Sequence, residues 1–280
     1  MQNGIHFISG LPRAGSTLLA ALLRQNPSLH AGITSPVGSL VTGLLRTMSQ
    51  GNEAALMIDD GQREVLLRSM FDGYYHTVHP TKTVFDTNRG WTTRLTLLST
   101  LFPQAKMICC VRPIPWIIDS IERLIRHNRW ELSKLFDFDP GGTIYSRAAM
   151  LTSAEGMIGF AVNALKQAMH SAESDRLLLL PYDVLVAEPD YAMQQVYEFV
   201  GLPYFQHDFA NVSFETNEFD ARLGTPGLHV VHPTVSIPNR ETILPPDLWK
   251  RYAAETIWRE PVFNTKDVRI VTGRGPTVVS

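Results

Sequence analysis

Residues 8–18 read Ile8-Ser9-Gly10-Leu11-Pro12-Arg13-Ala14-Gly15-Ser16-Thr17-Leu18 and hold the densest set of chemically useful groups in the chain. Two glycines bracket a cation, and two hydroxyls follow. An apolar run enters this segment and an apolar helix pattern leaves it. That arrangement aims several backbone N–H groups and the positive end of a helix dipole at one point, where a phosphate or sulfate fits. Gly10 and Gly15 match the spacing of the nucleoside-triphosphatase loop G-x-x-x-x-G-K-[ST], but Ser16 stands in the lysine place and the cation has moved to Arg13. The missing lysine normally reaches the outer phosphates, so its absence argues against ATP or GTP hydrolysis and for a ligand with fewer phosphates.

Three further positions carry chemistry at the ends of apolar runs. Arg112 follows the run 106–111, with Ser120 eight residues on in a helical pattern. A guanidinium offers paired hydrogen bonds to an oxyanion such as phosphate, and a hydroxyl adds one more. Tyr182 follows Leu177–Leu180, and Asp86 closes the short run from Thr83. Open α/β sheets bind ligands at the carboxyl ends of their strands, so Gly10, Asp86, Arg112 and Tyr182 are expected to converge there.

The elements that must position these groups follow from periodicity. Strands are expected at 5–9, 83–86, 106–111 and 177–180. Helices are expected from Ser16 to a stop at Pro27, within 36–75, and at 91–102, 115–128, 147–172 and 189–200, the last ending at Gly201. Short, continuously apolar strands alternating with helices predict an α/β fold, a parallel sheet with helices on both faces and right-handed crossovers. Beyond residue 205 prolines and glycines interrupt the pattern. Residues 206–260 are expected to form a loop-rich cover with a short helix near 247–258, and 261–280 a loosely held tail, all within one domain spanning 1–280.

Composition sets the outer limits. The chain has 280 residues, 44% of them hydrophobic and 19% charged, which suits a globular enzyme and excludes disorder. A net charge of −2 removes the broad basic footprint of a nucleic-acid binder while leaving room for a local anion pocket. Two adjacent cysteines, Cys109 and Cys110, form neither a disulfide framework nor a zinc site and read as buried strand residues. His76 and His79 have metal-ligand spacing without a third ligand, and the acidic stretch 137–142 lacks the rest of a calcium loop, so no metal is expected. No apolar stretch is expected to span a membrane, and the N-terminal residues show no signal-peptide pattern, which points to the cytoplasm. Oligomeric state stays open.

Pro12-Arg13-Ala14-Gly15-Ser16-Thr17-Leu18 resembles the 5′-phosphosulfate loop, P-[RK]-[SA]-G-[ST]-[ST]-L/W, of sulfotransferases that use 3′-phosphoadenosine 5′-phosphosulfate (PAPS). The resemblance covers most of residues 4–205 and is nearest to the branch containing protein-tyrosine sulfotransferases and bacterial relatives. It implies a P-loop-like fold, PAPS as co-substrate and no metal. It also implies a hydroxyl acceptor: a small molecule, lipid, glycan or protein. By this resemblance Arg13, Ala14, Gly15, Ser16 and Thr17 would hold the 5′-phosphosulfate, with Arg13 also catalytic. Arg112 and Ser120 would clamp the 3′-phosphate. Tyr182, in Leu179-Leu180-Pro181-Tyr182-Asp183-Val184-Leu185, would contact the nucleotide, and His229 and Arg240 would close over it from the cover.

The family pattern is broken in two places. Thr87 stands where a lysine often follows the strand, and 32–36 carries no acid where a Glu base is common. Asp86 is then the nearest carboxylate and the candidate base, with Arg89 a replacement cation. Two other readings stay open: a small-molecule kinase with a degenerate P-loop and Asp86 as its magnesium ligand, or a nucleotide-binding protein without catalysis.

Overall fold

Five apolar segments are buried along their whole length or nearly so, and each becomes a strand: β1 (Ile5–Gly10), β2 (Leu29–Ala31), β3 (Thr83–Thr87), β4 (Met107–Val111) and β5 (Leu177–Pro181). A sixth, β6 (Arg269–Ile270), completes a parallel sheet of order β2-β3-β1-β4-β5-β6. Such continuous apolar runs are what a sheet covered on both faces requires. The computed structural model describes residues 4–49, 51–78, 81–130, 142–214, 217–222, 226–254 and 256–274. His79, residues 137–141 of the acidic stretch and the last six residues of the expected tail lie outside these.

The helices are α1 (Ser16–Leu23), α2 (Val37–Thr47), α3 (Asp60–Tyr74), α4 (Leu95–Leu101), α5 (Ile114–His127), α6 (Ile144–Thr152), α7 (Met157–Met169), α8 (Tyr182–Ala187), α9 (Pro189–Val200), α10 (Asn217–Arg222) and α11 (Pro246–Ala253). The α/β architecture is the expected one: a parallel sheet, its helices, and a C-terminal cover built mostly of loops. On one face Phe7, Phe71, Trp91 and Phe102 meet with ring centroids 5.0–6.2 Å apart, fixing α3 and the Arg89–Arg94 turn to β1.

Register makes the carboxyl edge. Gly10 pairs with Cys110, and Cys110 with Leu180, so the chain leaves β1, β4 and β5 at one level. Ile8 pairs with Thr87, which brings Asn88 and Arg89 to the same edge on the other side of β1. Gly10 itself cannot be replaced: its φ is +107°, and a Cβ there would lie 2.2 Å from the Cys110 carbonyl oxygen.

Several expectations are corrected. The helix expected over 147–172 is two, α6 and α7, with Ser153 and Gly156 extended between them (ψ 159° at each). Added methyl groups at Gly156 and Gly159 would lie 2.1 and 2.0 Å from the carbonyls of Met150 and Ser153, so this turn closes only around glycine. Residues 144–169 together do reach membrane-span length at mean hydropathy 1.3, contrary to expectation, but they are folded back into this pair. The segment 91–102 starts as a 3₁₀ turn, Arg89–Arg94, before α4. Within 36–75 a 3₁₀ turn at Glu53–Met57 separates α2 from α3. β2 and β6 were not legible: three and two residues are too few to show a period. The tail is partly anchored, with β6 paired to β5 and Val268 and Val271 buried beside it.

Candidate functional site

The strand-to-helix segment from Gly10 to Gly15 turns sharply. Arg13 adopts φ 56° and Gly15 φ 98°, both left-handed. For arginine this conformation costs on the order of 1 kcal/mol or more, so the surroundings must hold it. They do. The Arg13 Nε donates to Ser120 Oγ at 3.0 Å, reaching across to α5, and Arg112 donates from a terminal guanidinium nitrogen to the Arg13 carbonyl at 3.2 Å. Tyr182 lies under the Arg112 guanidinium, 4.2 Å from ring centroid to Cζ. The same ring packs so closely on Gly15 that a Cβ there would stand 2.8 Å from Tyr182 Cδ2. Ala14 is buried, while Ser16 and Thr17, half-buried, open α1 behind the N-cap Gly15. The motifs at the ends of β1, β4 and β5 thus meet, while Asp86 on β3 makes its bonds elsewhere.

Electrostatics favour an anion here. Burial pushes the Arg13 guanidinium below its ordinary value; nearby Asp220 and Tyr182 oppose that shift, and Arg240 adds to it. Burial brings Arg112 down to about 10, with Arg240 and Arg13 contributing as like charges against Tyr182 and Asp119. Three cations held within electrostatic reach, two of them poorly hydrated, are stabilised by a ligand that brings negative charge. Arg240 Nε and, at the end of β3, Thr87 Oγ1 are buried with no hydrogen-bond partner among the described residues.

The cover is tied down by a residue the motifs did not single out. Asp119 is fully buried on α5, next to Ser120. Its Oδ2 accepts from Arg123 (2.9 Å) and Arg240 (3.0 Å), and its Oδ1 from Thr242 (3.2 Å) and the Ile243 amide (2.8 Å). An acid set among Trp116, Ile117, Ile118 and Ile121 was the available signal. Arg240 is thus held by Asp119, within electrostatic reach of Arg13 and Arg112. His229 is paired with Asp220: its Nδ1 lies 2.5 Å from Asp220 Oδ1 and its amide donates to Oδ2 at 2.8 Å. Asp220, buried on α10, is among the charges that act on Arg13.

Asp86 is corrected. It is completely buried, and both carboxylate oxygens are occupied: Oδ2 accepts from Ser35 and Tyr75 hydroxyls at 2.6 Å each, and Oδ1 from Trp91 Nε1 at 2.7 Å. Burial pushes its pKa up, against those three bonds. A carboxyl so enclosed braces β3, α3 and the Arg89–Arg94 turn; it neither receives a substrate proton nor holds magnesium. The kinase reading loses the residue on which it rested.

On the β2–β3 side of the loop lies a cavity of about 400 Å³, lined by Thr34, Asn88, Arg89, Glu155 and an apolar wall of Met157, Phe160 and Ala161. Ser9 Oγ donates to the Arg89 carbonyl at 3.1 Å, which joins this lining to the residue preceding Gly10. Cys109 and Cys110 are buried in β4, where burial pushes both thiols up, Cys110 to about 12.

A sulfotransferase family model matches residues 6–206, which includes every strand-end group described above except the cover. The chain belongs to the sulfotransferase family. Protein-tyrosine sulfotransferase 1 of Danio rerio is 24% identical over 205 residues, 71% of this chain and 53% of that protein. The human protein of the same name is 28% identical over 112 residues, 38% of this chain and 30% of the relative. The chain thus matches about half the length of these relatives or less. Among solved structures, the sulfotransferase domain from the curacin biosynthetic pathway superposes with a TM-score of 0.57 at 18% identity, covering 89% of this chain and 97% of that domain. At that identity the likeness concerns the fold.

Proposed function

We propose that the protein transfers the sulfuryl group of PAPS to a hydroxyl acceptor and releases adenosine 3′,5′-bisphosphate. The observation that carries this reading is the convergence of Arg13, Ser120, Arg112 and Tyr182 on one left-handed loop at the carboxyl edge of the sheet. Buried cations with spare donor capacity fit a ligand that carries two separated anionic groups.

The proposed division of labour follows from these contacts. Gly15, Ser16 and Thr17 present the opening amides and hydroxyls of α1 to the 5′-phosphate. Arg112 and Ser120 serve the 3′-phosphate, and both also touch Arg13: Ser120 takes its Nε and Arg112 its carbonyl. Arg13 therefore couples the two halves of the donor site, its remaining donors being those that meet the sulfuryl oxygens. Arg240, delivered by Asp119, closes the site from the cover. The transfer is an in-line displacement whose spread charge is stabilised by donors already in place, with no reorganisation at the moment of reaction.

The cavity beside Arg89 is the acceptor's place in this reading. Its lining includes Asn88 and Arg89 at the end of β3, which neighbours β1 on one side, while Arg112 and Ser120 follow β4 on the other. A volume of about 400 Å³ lies at the small end of ordinary ligand sites and favours a small hydroxyl compound, with its apolar body on Met157 and Phe160, over a folded protein surface.

The test is differential melting. Adenosine 3′,5′-bisphosphate at saturating concentration should raise the melting temperature, and ADP and ATP much less, because only the first carries the 3′-phosphate. Arg112→Ala should abolish that difference, and EDTA should not affect it. Equal shifts from all three nucleotides would overturn the reading, and an EDTA-sensitive shift would restore the kinase.

A further inference from the structure

A hydroxyl that attacks sulfur must lose its proton, and the acids around this site are nearly all committed elsewhere. Asp86 is sealed by three donors. Asp119 is held by four, and Asp220 by the ring and amide of His229. Glu122 takes Arg126 and Arg147, and Asp183 pairs with Arg259. Asp86, Asp119, Asp220 and Glu122 are each fixed by cations or buried donors, and the Oδ1 that Arg259 leaves free on Asp183 is buried away from solvent.

Glu155 differs. It is exposed, it makes no hydrogen bond or ion pair among the described residues, and it lines the 400 Å³ cavity as that cavity's one carboxylate. Its position is imposed by the fold. Gly156 and Gly159 let the chain turn back on the last carbonyls of α6, and that reversal sets residue 155 against Thr34, Asn88 and Arg89. A single helix through 144–169 would have no such corner. Thr34 lies in the stretch after β2 that carries no acid, so the carboxylate arrives in the same cavity from a different element.

We propose that Glu155 is the general base of the transfer. The proposal rests on the sulfuryl-transfer reading above. The acceptor O–H gives its proton to a Glu155 carboxylate oxygen as the oxygen–sulfur bond forms. The bond from sulfur to the 5′-phosphate oxygen breaks, and its electron pair leaves on adenosine 3′,5′-bisphosphate. Arg89 and Asn88, anchored one residue from Gly10 through Ser9, stand in the same lining and orient the hydroxyl between Glu155 and the loop.

The experiment uses the full chain, PAPS, and a set of small hydroxyl probes: p-nitrophenol, 2-naphthol, benzyl alcohol and n-hexanol. Release of adenosine 3′,5′-bisphosphate is followed by chromatography. Glu155→Gln should lower kcat by roughly 100-fold or more, the usual span for loss of a general base, with the nucleotide-induced melting shift unchanged. The acid limb of the kcat/KM profile should vanish in Glu155→Gln, and Glu155→Asp should restore part of the rate. Turnover of Glu155→Gln within threefold of the parent, with the acid limb intact, overturns the proposal. So does a Glu155→Gln protein that loses the nucleotide shift together with turnover, which would mark a structural role. A parent protein that shows the nucleotide shift but acts on none of the probes also overturns it, because an open base in a small cavity must serve some small hydroxyl. A parent protein without the shift fails the underlying reading instead.

Discussion

The enclosure of Asp86 makes a pair of opposite forecasts for two substitutions at one position. Asp86→Ala removes the acceptor from three buried donors, the hydroxyls of Ser35 and Tyr75 and the Trp91 indole N–H. Each buried donor left unpaired costs about 1–3 kcal/mol, and water entering the gap offsets part of the sum, so a loss of about 3–5 kcal/mol is expected. For a domain of this size that lowers the melting temperature by roughly 5–9 °C. Asp86→Asn behaves otherwise. Burial raises the Asp86 pKa, so the uncharged form is favoured more in the folded than in the unfolded protein, and a neutral amide reproduces its size and much of its bonding. Linkage fixes the sign of the pH effect. The stabilisation that Asp86 contributes as a neutral group is fully present below the unfolded carboxyl's 3.8 and is lost as pH rises through the raised folded value. Asp86→Asn has no such loss, so its melting temperature should gain on the parent's with rising pH. Turnover should stay near the parent level. The measurements are calorimetric melts between pH 4 and 8 and steady-state rates for both variants. A stable Asp86→Asn protein with turnover down 100-fold would refute the bracing role and return Asp86 to the chemistry.

Gly15→Ala should fold yet lose the nucleotide-induced melting shift, because its Cβ meets the Tyr182 ring at 2.8 Å and the position needs a positive φ; an unchanged shift measured by fluorimetry would show that loop and ring yield freely. Asp119→Ala should free the cover from α5, seen as faster proteolysis within 206–245 and weaker bisphosphate binding, since four donors lose one buried acceptor; proteolysis at the parent rate would count against this. Burial, with Lys106 nearby, lowers His6 to about 4, and its ring nitrogen accepts the Lys106 amide at 3.2 Å. Its neutral form contributes stability above the ordinary 6.5 that is lost as pH falls from there toward 4, and His6→Gln should flatten that part of the melting profile.

What the sequence by itself determined was whatever depends on neighbours along the chain. The runs at 5–9, 106–111 and 177–180 are apolar at every step, and only a sheet covered on both faces accommodates that. The loop was legible because its glycines, cation and hydroxyls lie within a single turn. Arg112, Ser120 and Tyr182 could be placed at one edge because parallel strands share their carboxyl ends, and the register of Gly10, Cys110 and Leu180 bears that out.

Tertiary structure decided the rest. Asp86 has the same local surroundings whether it is a base or a brace; Ser35 and Tyr75, 51 and 11 residues away, make it a brace. Asp119 clasps a loop more than a hundred residues downstream, a pairing that no local pattern encodes. β2 and β6 are too short for a period and exist because a neighbouring strand offers them its edge. Residues 147–172 have helical periodicity throughout, and only close contact between Gly156, Gly159 and the last carbonyls of α6 folds them back. That reversal brings Glu155 to the cavity. Periodicity reports which face of an element is buried, but the partner against which it is buried is chosen by the packing of the whole chain.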